Sequence, residues 1–105
     1  MHSFYFDEFD VHKNFLSFLQ ERKFEHNVVE GIIRFEALES FELHLDEFCN
    51  TLFPDWQILS FPLTALHLYV GYMQKRGIPY YKAYFNNEIE IILPVGYRPL
   101  KWKLE

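Results

Sequence analysis

The run Lys75-Arg76-Gly77-Ile78-Pro79 constrains the course of this chain more than any other stretch. Cations suit the negative end of a helix, and glycine supplies the left-handed residue that ends one. The isoleucine can fold back on the last turn, and proline forbids continuation. A helix therefore stops here. Upstream, from Trp56 to Gln74, no Asp, Glu, Lys or Arg occurs. That length approaches a membrane span. Yet Pro62 divides it, and Gln57, Ser60, Thr64, His67 and Gly71 interrupt it. The expectation is a helix opening at Pro62, where a proline costs no hydrogen bond, and lying buried at the centre of the fold.

Downstream, two strands can pair in two ways. A two-residue turn at Asn86-Asn87 sets Phe85 opposite Glu88 and Ala83 opposite Glu90, which mixes carboxylates with rings. A three-residue loop, Asn86-Asn87-Glu88, sets Phe85 opposite Ile89, Ala83 opposite Ile91 and Tyr81 opposite Leu93. The second register gives one wholly apolar face and is the one expected, since a slip of one residue would bury charge. Its other face carries Tyr80, Lys82, Tyr84, Glu90 and Ile92, with Lys82 and Glu90 placed to pair diagonally. After a turn at Pro94-Val95-Gly96, Leu100, Trp102 and Leu104 alternate with Lys101 and Lys103, the pattern of an edge strand kept apart by lysine.

The front half reads less cleanly. Val11, Phe15, Leu16, Phe18 and Leu19 form an apolar stripe, so a helix is expected from about Asp10 to Phe24, with Asp7 or Asp10 as its cap and Arg22 and Lys23 in its last turn. Val28-Val29-Glu30-Gly31-Ile32-Ile33 suggests two short strands about a tight turn. Between Glu36 and Phe53, Leu38, Phe41, Leu45, Phe48 and Leu52 recur at intervals of three and four. Phe41 to Leu45 also alternates as a strand would. The helix accounts for more residues and is favoured; otherwise Asp46 caps a shorter helix at 47–53. Pro54 ends either form. Helices and strands fall in separate groups, so the class is α+β: three helices packed on a small, mainly antiparallel sheet, with a C-terminal β-hairpin plus an edge strand.

The 105 residues make one domain, 1–105. Twelve Phe, seven Tyr and two Trp offer it a heavy core and some surplus rings for its surface. One cysteine excludes a disulfide framework. The start, Met1-His2-Ser3-Phe4-Tyr5-Phe6-Asp7-Glu8, has no basic, apolar leader pattern, so a cytoplasmic location without membrane association is expected.

Charge is divided unevenly. Residues 1–60 carry twelve acids and four bases, and residues 61–105 carry three acids and six bases, giving the net charge of −5. Such asymmetry speaks to partners rather than to fold. On a helix, Glu39, Glu42 and Asp46 stack along one face, flanked by Glu36 and Glu47. They form either a solvated face or a display of carboxylates for a basic groove. Tyr80, Lys82, Tyr84, Arg98, Lys101 and Lys103 form a second constellation, rings among cations, suited to single-stranded nucleic acid. Net charge opposes that use.

Catalytic chemistry finds little support. Cys49 has acids and no base beside it, so an inert buried thiol is expected. His67, on the uncharged helix, has only Thr64 as a polar neighbour. Glu42-x-His44-x-Asp46 gathers metal ligands only if that segment is a strand, and no cofactor, phosphate-loop or dinucleotide pattern occurs. His2, His12, His26 and His44 are expected to be solvated. The expectation is thus a non-enzymatic, immunity-type inhibitor that binds and neutralises a basic protein such as a nuclease toxin. Glu36, Glu39, Glu42, Asp46 and Glu47 would steer, and Trp56 would anchor. Three alternatives remain: a single-strand binder using the terminal sheet, a small enzyme or ligand-binding domain with His67 in its cleft, and a structural subunit that buries its surplus rings between copies.

Overall fold

Phe4 and Phe6 alternate with Ser3 and Tyr5, and this short period-two run builds the strand at the middle of the molecule. The computed structural model describes residues 1–52, 56 and 58–94. Strand β1 (His2–Phe6) leads to helix α1 (Phe9–Glu21), strands β2 (Asn27–Val29) and β3 (Ile32–Phe35), and helix α2 (Leu38–Leu52). Strand β4 (Leu59–Pro62), a 3-10 turn at Leu63–Ala65, helix α3 (Leu66–Lys75) and strands β5 (Tyr80–Phe85) and β6 (Ile89–Pro94) follow. The sheet runs β2-β3-β1-β5-β6-β4, with every neighbouring pair antiparallel. The class is α+β, and the described residues form three helices on an open six-stranded sheet.

Residues opposite one another across a ladder share a face. Phe4 lies opposite Ile33 and Phe85, Phe6 opposite Ala83, and Ala83 opposite Ile91. This inner face packs against Val11, Phe15 and Leu19 of α1 and Phe41, Leu45, Phe48 and Cys49 of α2 in one cluster. The rings interlock edge to face: Phe4 meets Phe15 at 5.8 Å between centroids and Phe41 at 5.1 Å, while Phe35 stacks on Phe41 at 3.9 Å. On the outer face, Phe61 and Ile92 pack with Met73 and Ile78 in a second cluster, which Leu59, Leu66, Tyr69, Val70 and Tyr80 flank. Helices α1 and α2 thus cover one side, and α3 covers the β4–β6 end of the other.

The hairpin adopts the three-residue register, with Phe85 opposite Ile89, Ala83 opposite Ile91 and Tyr81 opposite Leu93. Asn86 and Asn87 take the left-handed conformation that asparagine tolerates. Asn86 also extends the pairing to β1: its amide donates to the Ser3 carbonyl at 2.8 Å, and its side-chain oxygen accepts from the Ser3 amide at 2.8 Å. The stop after α3 forms as the residues dictate. Gly77 has φ +64°, the Ile78 amide returns to the Met73 carbonyl at 3.0 Å, and the Gly77 amide to Gln74 at 3.2 Å. Residues 38–52 are one helix, and Glu30-Gly31 makes the tight β2–β3 turn with φ of 54° and 80°.

Four expectations about the helices need correction. Helix α3 begins at Leu66 rather than at Pro62, which closes β4. It is not central: Met73 alone of its residues is fully buried, and Leu68 is 66% exposed. A helix laid on one side of a sheet buries only the stripe that meets it, although its apolar residues encircle it. Helix α1 ends at Glu21, not Phe24, and Glu8 rather than an aspartate occupies the position before it, without a side-chain cap. The expected edge strand at 100–104 lies outside the described residues.

The early end of α1 has a cause. Lys23 takes φ +56°, its amide bonds the Gln20 carbonyl and the Phe24 amide bonds Leu19, both at 3.0 Å, so that Phe24 folds back under the helix. This is the same terminal motif as at Gly77, built on a lysine. A side chain in that conformation costs about 1 kcal/mol or more relative to glycine. Lys23→Gly is therefore expected to raise the urea midpoint by the equivalent of about 1 kcal/mol with an unchanged m-value; a lowered midpoint would show that the lysine side chain contributes more than its backbone strain costs.

Candidate functional site

Helical spacing divides α2 into three strips. Phe41, Leu45, Phe48 and Cys49 enter the core. Glu39, Glu42, Leu43 and Asp46 form a second strip that faces away from α1. Across from it stand Ile58 and Ser60 at the outermost strand and Ile89 and Ile91 of β6, brought together because Ser60 lies opposite Ile91 and Pro62 opposite Ile89. Between the two walls runs an open groove of about 710 Å³. It exists because α2 stops short of the β6–β4 end of the inner face, while α3 covers that end only from behind.

The groove has an apolar lining and an acid rim. Leu43 is 71% exposed, and Ile58 and Ile89 each keep about two fifths of their surface in water, at 39% and 40%. Neighbouring apolar side chains left this open mark an interaction surface. Glu39, Glu42 and Asp46 line the same space. Among the described residues, none of the three has a cation within 4.0 Å. Carboxylates of like sign at these spacings repel one another by a few tenths of a kcal/mol per pair, about 0.2–0.5, a cost that a cationic partner would reverse.

The other residues of the expected acidic surface are engaged elsewhere. Glu36 sits 3.6 Å from the Met1 amine. Glu47 accepts from the Arg22 guanidinium at 2.6 Å, and that guanidinium also lies 4.7 Å above the Phe18 ring. Trp56 does not line the groove. Its indole N–H donates to the Asn50 side-chain oxygen, and its ring packs against the main core. The apolar residues placed to anchor a partner are Leu43, Ile58 and Ile89 instead. Leu43 carried a sequence signal, an apolar residue between acids on the outer side of the helix. Ile58 and Ile89 carried none, because only the β4–β6 pairing puts both on the one wall that faces α2.

Among the described residues, catalytic groups do not gather in the groove. Its polar lining is three carboxylates and the Ser60 hydroxyl. Cys49 is fully buried, and burial, helped by nearby Asp46, pushes its thiol up to about 12. His67 is exposed on α3. His44 lies on the far side of α2 and donates from Nδ1 to the Ser40 carbonyl at 2.7 Å. His12 is half-buried rather than solvated. Its Nδ1 accepts from the Phe6 amide at 3.1 Å and its Nε2 donates to the Gly31 carbonyl at 2.7 Å, so the ring ties β1 to the β2–β3 turn. Burial lowers its pKa, although the bond to Gly31 works against this.

Of the expected rings and cations, Arg98, Lys101 and Lys103 lie outside the described residues, and the hairpin's Tyr80, Lys82 and Tyr84 are each engaged by neighbours. Tyr80 is drawn under α3, where its hydroxyl accepts from Gln74 at 3.2 Å. Tyr84 stacks on Tyr5 at 4.7 Å. Lys82 turns to Asp7 at 3.3 Å rather than to Glu90. Glu90 is left 3% exposed between Tyr84 and Phe61, with Oε2 lacking a hydrogen-bond partner among the described residues. Its burial raises the pKa of the carboxyl, opposed in part by Lys82. The folded protein therefore holds this proton more tightly than the unfolded chain does, and stability from this group falls as pH rises from the unfolded value through the folded one. Glu90→Gln is expected to gain about 1 kcal/mol at pH 7 and nothing at pH 3, as read by urea denaturation at both pH values. An equal change at both would remove ionisation as the cause.

Compared with protein-family models, curated proteins and solved structures, the chain matches none.

Proposed function

We propose that this protein is a non-enzymatic inhibitor of the immunity type, which binds and neutralises a basic protein such as a nuclease toxin or another nucleic-acid enzyme. The observation that carries this reading is the groove beside α2, where Glu39, Glu42 and Asp46 rim a lining that includes Leu43, Ile58 and Ile89. A surface that binds nucleic acid presents Lys and Arg among apolar and aromatic residues. The groove presents the complement, carboxylates where phosphates would lie and aliphatic side chains where bases would stack. Long-range attraction raises the encounter rate, and burial of the apolar centre slows release.

An amphipathic Lys/Leu peptide serves as a probe of this chemistry, with a Glu/Leu peptide of identical apolar pattern as its control. Fluorescence anisotropy across ionic strength is expected to show binding of the basic peptide, weakening as salt rises, and none of the acidic one. Equal binding of both would mean that the groove selects apolar surface without regard to charge, and the proposal would fail.

A further inference from the structure

The other flank of α2 has the opposite character. Only four Lys and Arg residues occur before residue 61, namely Lys13, Arg22, Lys23 and Arg34. Three of them, Arg22, Lys23 and Arg34, line a single pocket of about 440 Å³ between the end of α1, strands β2 and β3 and the first turns of α2. Chain distance alone would not join them, since Arg34 lies a turn and a hairpin beyond Lys23. Like charges gathered in a protein of net charge −5 oppose folding unless something negative balances them. Arg22 is balanced by Glu47, and the Met1 amine at the pocket's edge by Glu36. Glu25 also reaches the pocket. Lys23 and Arg34 have no carboxylate within 4.0 Å among the described residues.

A further feature suits an anion here. Ala37, just before α2, and Ser40 in its first turn contribute to the wall, so the positive end of the helix dipole adds to the same field. His26 and His44 also line the space, and each donates from Nδ1 to a backbone carbonyl, at 2.6 Å to Phe24 and 2.7 Å to Ser40. That fixes both rings, and with Nδ1 donating the Nε2 of a neutral ring is an acceptor, so the two rings wall the space without donating to an anion. Lys23 itself holds the left-handed position where glycine is cheaper. Its side chain is retained there at a cost in stability, and a site that uses the ammonium accounts for that.

We infer that the pocket formed by Lys23, Arg34 and Arg22, with the start of α2, binds the phosphate of a small phosphorylated molecule. Its volume admits a ligand of about mononucleotide size, and among the described residues no ion pair offsets Lys23 or Arg34. The site lies on the opposite flank of α2 from the groove and does not depend on the function proposed for it.

Lys23→Gly suits the test because it removes the ammonium at a left-handed position that glycine favours, and its urea midpoint, measured alongside, checks that the variant is folded. Isothermal titration at low ionic strength would use inorganic phosphate, adenosine 5′-monophosphate and adenosine. The two phosphates are expected to bind and adenosine is not. Lys23→Gly and Arg34→Gln are each expected to weaken binding about tenfold, consistent with loss of one charge-assisted contact. Glu42→Lys, in the groove, is expected to leave it unchanged. Absence of heat with both phosphates at millimolar concentration, or parental affinity in both cation variants, would overturn the inference. Binding of adenosine equal to that of its monophosphate would do so too.

Discussion

Phe15→Ala is expected to cost about 3–5 kcal/mol, a large share of the roughly 5–15 kcal/mol that holds a domain of this size together. Phe15 is fully buried, and its ring meets those of Phe4, Phe6, Phe41 and Phe48 at centroid distances between 4.9 and 5.8 Å. It is the point where β1, α1 and α2 converge. Truncation removes the transfer energy of the ring and leaves a void that neighbouring rings cannot fill without leaving their edge-to-face geometry. Phe9→Ala is the matched control, since Phe9 stands 72% exposed at the start of α1. Urea unfolding of the two variants should separate them by several kcal/mol. A loss below about 1 kcal/mol for Phe15→Ala would contradict the ring cluster as the centre of stability.

The second large effect concerns binding. Replacing Glu39, Glu42 and Asp46 together by lysine is expected to weaken association with the basic peptide by about 100-fold or more, mostly through the association rate. None of the three carboxylates supports the fold through an ion pair among the described residues, so the variant should unfold near the parent's midpoint. Glu36 and Glu47 provide the contrast. Both are acidic and exposed, but each already faces a positive charge of its own chain. Their reversal is expected to change affinity only a few-fold, in keeping with charges outside the groove. If reversal at Glu36 and Glu47 matched the effect at the three rim positions, net charge and not the groove would govern binding.

How much of this was legible in the residues depended on whether local or distant contacts decided it. The hairpin register was legible because one choice alone kept Glu90 out of the inner face. Helix α2 was legible because its apolar spacing of three and four outlasted the five-residue alternation. The end of α3 followed from glycine and proline. Strand β1 was not foreseen, since five residues followed by acids give little signal without the partners on either side. Strand β4 was hidden in the uncharged stretch, where Pro62 reads equally as a helix start and as the last residue of a short edge strand. The burial of α3 was misjudged because hydropathy gives the amount of apolar surface and not how much of the sheet is there to cover it.

The candidate site divides in the same way. Its acid rim was readable as a helical seam at Glu39, Glu42 and Asp46. Its lining was not, because Ile58 and Ile89 come to one wall only through strand pairing, and Trp56, an apparent anchor in the sequence, is held by the core and Asn50. The basic pocket was invisible for the same reason. Arg22 and Lys23 read as cations at a helix end and Arg34 as the solvent side of a strand, and each description is locally sound.

Chemical-shift mapping tests the groove most directly. With the protein labelled by nitrogen-15 and titrated with the Lys/Leu peptide, amide shifts should concentrate at residues 39–46, 58–60 and 85–91, and should vanish in the triple lysine variant. Shifts centred on α3 or on the outer face of β1 and β5, or shifts that persist undiminished in that variant, would contradict the account.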